Sequence, residues 1–250
     1  MTALRDLRYL VLDLETTGFD PEKDRPIEVG AAWVEGLQVV DTYSSLCDND
    51  GVAIPPDASG IHHILEADLA GAPKFREVLG IIERKRPYDV LVAHNANFDM
   101  AFIKPPATIP VLDTMRLAQK LWPSAVNHKN QTLRYMWGIC LEPEHRRGMA
   151  HSAAFDTRVT AGILIKAIQT LYERSKDPEQ LTLEKVHGWL KQPMDLRQSP
   201  MRFGKHRGKT WEEVARTDRS YLEWFANPAK CTMDKDADQL HTVNVLLGRA

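Results

Sequence analysis

Long apolar runs are absent from this 250-residue sequence. No stretch of about 18 consecutive apolar residues occurs, so nothing in it reads as a membrane-spanning helix. Cysteine is scarce. Cys47, Cys140 and Cys231 are odd in number and scattered, which gives neither a disulfide framework nor a metal-ligand spacing. Charge of one sign is not in excess either. With 32 Lys and Arg against 34 Asp and Glu the formal net charge is −2, so any surface for nucleic acid has to be local. Internal repeats and low-complexity tracts are missing, and Met1-Thr2-Ala3-Leu4-Arg5-Asp6 lacks the apolar stretch of a secretion signal. The expectation is a cytoplasmic protein without membrane contact, long enough for one α/β core and a smaller appendage.

What is present begins with Tyr9-Leu10-Val11-Leu12-Asp13-Leu14-Glu15-Thr16-Thr17-Gly18. In a strand, residues i and i+2 share a face, so Asp13 and Glu15 project side by side while Leu12 and Leu14 face the core. Two acids on one face repel unless a cation sits between them, and oxygen-rich clusters suit Mg²⁺ or Mn²⁺. Solvated acids at a strand end are the plainer alternative for a lone Asp-x-Glu. Further carboxylates of the same kind decide between the two.

Taken in order, the chain predicts a second strand over Ile27–Val34, a tight turn at Glu35-Gly36 and a third strand over Leu37–Tyr43. A loop around Pro55-Pro56 leads to Ile61-His62-His63-Ile64, and Pro73 opens a helix. A fourth strand, Asp89–Ala93, runs into His94-Asn95-Ala96-Asn97-Phe98-Asp99, with Asn95 as N-cap of the helix that carries Asp99. A short strand ends at Asp113-Thr114, where the next helix begins. Asn130 caps a helix that Gly138 closes, and a long helix follows His151. An initial meander followed by alternating strands and helices reads as α/β, a mixed sheet flanked by helices. Residues 1–175 form the main domain, 176–200 a helical piece and linker, and 201–250 a small, mainly helical module.

Asp99 sits on the first turn of a helix leaving a strand, and Asp156 at the start of the long helix, where α/β folds place ligand groups. His151 precedes Asp156 by five residues, about 500° of helix, so the pair cannot share a helix face. His151 therefore belongs to the loop before the helix. Four carboxylates and a histidine suit two divalent ions about 3.5–4 Å apart, with imidazole as general base.

Asp13-Leu14-Glu15-Thr16-Thr17-Gly18, His94-Asn95-Ala96-Asn97-Phe98-Asp99 and His151-x₄-Asp156, in that order, resemble the three motifs of the DEDDh exonuclease superfamily. The resemblance covers about Leu7 to Leu171. It implies an RNase H-like fold and 3′→5′ removal of nucleotides with two Mg²⁺ or Mn²⁺. By motif position it implies Asp13, Glu15, Asp99 and Asp156 as metal carboxylates and His151 as base. It also implies the backbone of Thr16 and Thr17 as contacts of the terminal nucleotide. Gly18 and Asn95, beside these motifs, join the candidate substrate contacts. Ile61-His62-x-Ile64, Arg116-Leu117-Ala118-x-x-Leu121-Trp122-Pro123, Phe203-Gly204-Lys205-x-Arg207-Gly208-Lys209 and Tyr221-Leu222-x-Trp224 are similar to the X group of exodeoxyribonucleases. Asp20–Arg25 and Asp48–Gly51 look longer than that pattern.

Gly204 to Gly208 is one residue too short for a phosphate-binding P-loop and no buried strand precedes it, which excludes an ATPase. Lys205, His206, Arg207 and Lys209, flanked by Phe203 and Trp211, suit a basic patch with an aromatic floor for single strands. A solvated turn is the equal alternative. Phe19 and His62 are candidates to line the terminal-base pocket, core packing being as good a reading for Phe19. Arg146 and Arg147 are candidates to hold phosphates, although loop arginines are more often solvated. His94 reads as structural, and Trp33, Trp122 and Trp137 as core. The expected activity is on DNA 3′ ends. RNA trimming and polymerase proofreading are alternatives within the class, and a non-catalytic nucleic-acid-binding protein is one outside it. The oligomeric state is open, a homodimer included.

Overall fold

The computed structural model describes residues 2–142, 151–233 and 235–249. Five strands form one sheet in the order β3-β2-β1-β4-β5: β1 Tyr9–Thr16, β2 Pro26–Glu35, β3 Gln38–Leu46, β4 Val90–Ala93 and β5 Val111–Asp113. The first three are an antiparallel meander, while β4 pairs parallel to β1 and β5 parallel to β4. Sequence pattern follows position in the sheet. β2 and β4 lie inside it and are almost continuously apolar and buried, as strands covered on both faces must be. β3 is an edge strand, polar and exposed along much of its length.

One face buries Leu10, Leu12 and Leu14 against α2 (Phe75–Lys85) and α3 (Ala96–Ile103). α6 (Ala153–Arg174) packs along β1 and β2, with α4 (Thr114–Leu121) and α5 (Asn130–Trp137) against it. The stretch read as a loop through Pro55-Pro56 contains a helix, α1 (Pro56–His62). Its apolar content is too low for a periodic signal, and the legible mark is Pro56, pre-set for a first helical position.

Contacts divide the chain between His187 and Gly188, inside α7 (Leu183–Lys191). The second unit holds α8 (Trp211–Thr217), α9 (Arg219–Ala226) and α10 (Ala237–Leu247) around Trp211, Val214, Leu222, Phe225 and Val243. The segment 191–200, expected to be a linker, is instead fastened to α10. Met194 N–H donates to Asp238 (2.7 Å) and Leu196 N–H to Thr242 Oγ1 (2.8 Å). No described helix is long and apolar enough to cross a membrane.

Candidate active site

Asp13 and Glu15 are half-buried on the face opposite the buried Leu12 and Leu14. β1 and β4 pair from Tyr9 to Val11 only, whereas β2 stays paired to β1 through Glu15. The acids therefore stand just past the end of the parallel pair, where open α/β sheets leave a crevice. Asp99 stands on the first turn of α3 and is 3% exposed. Asp156, buried on the first turn of α6, accepts at Oδ2 from the backbone N–H of His151 (3.0 Å) and at Oδ1 from the side-chain amide of Gln131. His151 is exposed, in the loop before α6, with a left-handed φ of 62°. Ligand atoms of Glu15, His151 and Asp156 all lie within 4.8 Å of one another.

Burial, then repulsion from Asp99, Asp156, Glu15 and Glu28, pushes the Asp13 carboxyl well above the usual carboxylate range. Glu15 is pushed up to about 8, by burial first and then by Asp156 and Glu28. Burial also raises Asp99 and Asp156. Among the described residues no Lys or Arg forms an ion pair with any of the four. Among the described residues the cluster is short of paired positive charge, and its donors are oxygens with one imidazole nearby. Both facts fit hard divalent cations.

Two further residues build this geometry. Gly30 lies opposite Asp13 on β2, and a Cβ there would stand 2.0 Å from the Ala153 carbonyl oxygen. Only glycine lets the first turn of α6 come so close to the sheet. Glu28, cross-strand from Glu15, accepts the N–H of Ala153 (3.0 Å) and the Ser152 hydroxyl (3.4 Å), which pins that turn to β2. Burial raises this fifth carboxyl as well. An acid between Ile27 and Val29 in a buried strand was the available signal.

Around the cluster, Thr16 Oγ1 donates to the Gly18 carbonyl (2.6 Å). Thr17 Oγ1 accepts from Arg25 N–H (3.0 Å), and a Cβ on Gly18 would lie 2.4 Å from an Asp24 oxygen. These bonds, with Thr17 N–H donating to the Arg25 carbonyl (2.9 Å), hold the turn. Phe19 is 83% exposed with its ring edge on Phe98 at 5.9 Å, which rules out the core reading. His62 is buried. Its Nδ1 accepts from Ile64 N–H (3.0 Å), so the proton sits on Nε2, which has no partner among the described residues. His94 is held by Thr114 Oγ1 (2.9 Å) and the His128 carbonyl (2.8 Å).

Asn95 precedes α3 as expected but is left-handed and does not cap it through its side chain. The Asp113 carboxylate takes that place. It accepts from the N–H groups of Asn95 (3.1 Å) and Ala96 (3.2 Å) while capping α4 through Met115 N–H (2.8 Å). Asn130 is likewise the first residue of α5 rather than its cap, and its amide donates to Thr160 Oγ1 (2.6 Å).

Arg146 and Arg147 lie outside the described residues. In the second unit the aromatic floor expected beside the basic residues is core instead. Trp211 is buried, and Phe203 stacks on Phe225 at 5.5 Å. His206 is buried against Asp218 (2.9 Å), and Lys205 pairs with the same carboxylate (2.7 Å), which lowers Asp218 well below the usual range. Arg207 and Lys209 are exposed.

Residues 10–164 match the family described as Exonuclease (RNase T). The chain belongs to this exonuclease family. Residues 201–228 match a second family, described as Exodeoxyribonuclease X-like C-terminal. The exonuclease is 36% identical over 148 residues to DNA polymerase III subunit epsilon of Treponema pallidum, covering 55% of this chain and 68% of that protein. It is 35% identical over 172 residues to the PolC-type DNA polymerase III of Caldanaerobacter subterraneus, covering 66% of this chain but only 12% of that protein. A solved exonuclease X in complex with 5′-overhanging duplex DNA superposes with a TM-score of 0.55 at 27% identity, over 69% of this chain and 96% of that one. Exonuclease I of E. coli with a dT13 oligonucleotide superposes at 0.53 and 18% identity, over 70% and 42% of the two chains, and shares the fold. The fold is the RNase H-like one of the DEDDh superfamily, and the protein is a 3′→5′ exonuclease.

Proposed function

We propose that this exonuclease removes nucleotides from the 3′ ends of DNA and releases nucleoside 5′-monophosphates. The observation that carries the reading is the convergence of four acids from β1, α3 and α6, raised in pKa by burial and by one another, beside an exposed histidine. Asp13, Glu15, Asp99 and Asp156 hold two divalent ions, Mg²⁺ or Mn²⁺. Bound there, the ions supply positive charge that acidifies the attacking water and offsets charge building on the phosphate and the leaving oxygen. His151 accepts the proton of that water. Its exposed ring is open to substrate, and imidazole is the side chain most often used as a general base. The water oxygen bonds to phosphorus, the bond from phosphorus to the 3′ oxygen breaks, and that oxygen takes a proton from solvent.

The backbone of Thr16, Thr17 and Gly18 faces the terminal nucleotide, Phe19 offers its ring to the terminal base, and His62 and Asn95 complete the contacts. Arg207 and Lys209, exposed in the second unit, offer positive charge to phosphates. DNA is favoured over RNA because the relatives at 36% and 27% identity are a DNA polymerase III subunit and an exonuclease X solved with duplex DNA. The likeness to an epsilon subunit also favours a second reading, in which the chain proofreads beside a polymerase. Three free thiols support a reducing, cytoplasmic setting.

The test is degradation of matched 5′-labelled single-stranded DNA and RNA with Mg²⁺, with Asp13→Ala alongside. A ladder shortening from the 3′ end of DNA and missing in the variant is the expected result. A ladder on RNA alone overturns the substrate, and full activity in Asp13→Ala overturns the site.

A further inference from the structure

Arg134 reaches Asp156 through an intermediate side chain. Arg134 is 3% exposed, and its guanidinium lies 4.6 Å from the centroid of the Phe155 ring. Nη2 donates to the Cys140 carbonyl (2.9 Å) and Nε to that of Ile139 (3.4 Å). Nη1 donates to Oε1 of Gln131 (3.0 Å), and the amide nitrogen of Gln131 donates in turn to Oδ1 of Asp156.

The direction of this chain is forced. A guanidinium only donates and an ionised carboxylate only accepts, so the group between them must accept at one end and donate at the other. An uncharged amide does both, in a single orientation. A carboxylate at this position would repel Asp156, and an ammonium would repel Arg134. With Oδ1 on Gln131 and Oδ2 on the His151 backbone, each Asp156 oxygen holds one protein N–H. That fixes the plane of the carboxylate and leaves lone pairs on both oxygens for a cation.

We infer that Gln131, itself held by the buried Arg134, is a positioning residue that sets the Asp156 carboxylate for a divalent ion. The affinity of this chain for metal then depends on a side chain on α5, outside the sequence motifs. The inference rests on the reading of Asp156 as a ligand, and the experiment separates the two.

Mn²⁺ is titrated calorimetrically into the full chain without nucleic acid, for the parent, Gln131→Met, Gln131→Asn and Asp156→Asn. Methionine keeps the length without the amide, and asparagine keeps the amide but is too short to bridge both partners. Loss of a partner behind a ligand costs metal affinity about 10–100-fold, so both Gln131 variants should bind Mn²⁺ at least about tenfold more weakly. Their metal-free Tm should stay close to the parent's, and their turnover at saturating Mn²⁺ should recover most of the parent rate. Parent-like affinity in both, with Asp156→Asn weakened, overturns the inference and leaves the proposed function standing. Unchanged affinity in Asp156→Asn removes the reading beneath it. A loss of affinity that tracks a fall in metal-free Tm marks Gln131 as structural and overturns the inference as well.

Discussion

His151 and Glu15 show what single residues contribute. His151 touches the cluster through its backbone N–H, which holds Asp156, while its exposed ring is left for chemistry. His151→Ala keeps the backbone bond and removes the ring. Its kcat should fall by about 10²–10⁴, the usual worth of a general base, with substrate still bound in the presence of metal. Single-turnover rates beside binding isotherms check this, and a full rate near neutral pH would assign the base to another group. Glu15 predicts a pH effect on stability. Its folded pKa of about 8 lies above the ordinary 4.5, so between those values the folded state holds a proton that the unfolded state has lost. The Glu15 contribution to the stability of the metal-free protein is therefore full below pH 4.5 and is lost as pH rises toward 8, since stability falls wherever the native state binds more protons. The metal-free Tm should drop by several degrees from pH 5 to 8, and saturating Mn²⁺ should reverse the trend. A metal-free Tm that rises over this range would contradict the burial of the cluster.

At the scale of elements, the site depends on how closely the first turn of α6 approaches β2. In Gly30→Ala the new methyl meets the Ala153 carbonyl and the Thr157 hydroxyl on α6, and the backbone carbonyl cannot swing aside as a side-chain tip would. Overpacking of this kind costs about 1–3 kcal/mol, and displacement of Asp156 should remove most turnover even where the chain still folds. Thermal melts paired with rates test it, and parent-like values in both would refute the close approach. Such elements were unevenly legible in the sequence. β1, β2 and β4 were plain because apolar alternation or continuity marks buried strands, and the long helix because its apolar period is sustained. The Asp-x-Glu pair was readable from a period of two within one strand. Gly30 and Gln131 were not, and Glu28 showed only as an acid out of place in a buried strand, because each acts on residues far along the chain that only register and helix packing bring near. The caps went astray for a similar reason. Asn95 and Asn130 are good local caps, but Asp113 reaches two helix starts at once and supersedes the local choice at α3.

For the whole molecule, the matches at residues 10–164 and 201–228 fall one in each compact unit, and each unit buries its own core. The basic character of the second unit is smaller than its composition suggests, with Lys205 and His206 both committed to Asp218. The contribution left to Arg207 and Lys209 is electrostatic. Replacing both by Ala should weaken binding of long single strands, leave hydrolysis of dinucleotides unchanged, and lower the salt dependence of binding by about 1 for each cation removed. An unaltered salt slope would leave this module a structural or partner-binding role. The buried acids also alter the molecule as an electrolyte. The formal charge of −2 counts every carboxyl as ionised, yet Glu15, pushed up to about 8, retains a proton near neutral pH when no metal is bound. That proton takes the metal-free protein from −2 to −1, closer to neutrality, where colloids lose mutual repulsion. Chelators added during purification would therefore do more than silence the enzyme, because they would also bring it nearer to precipitation.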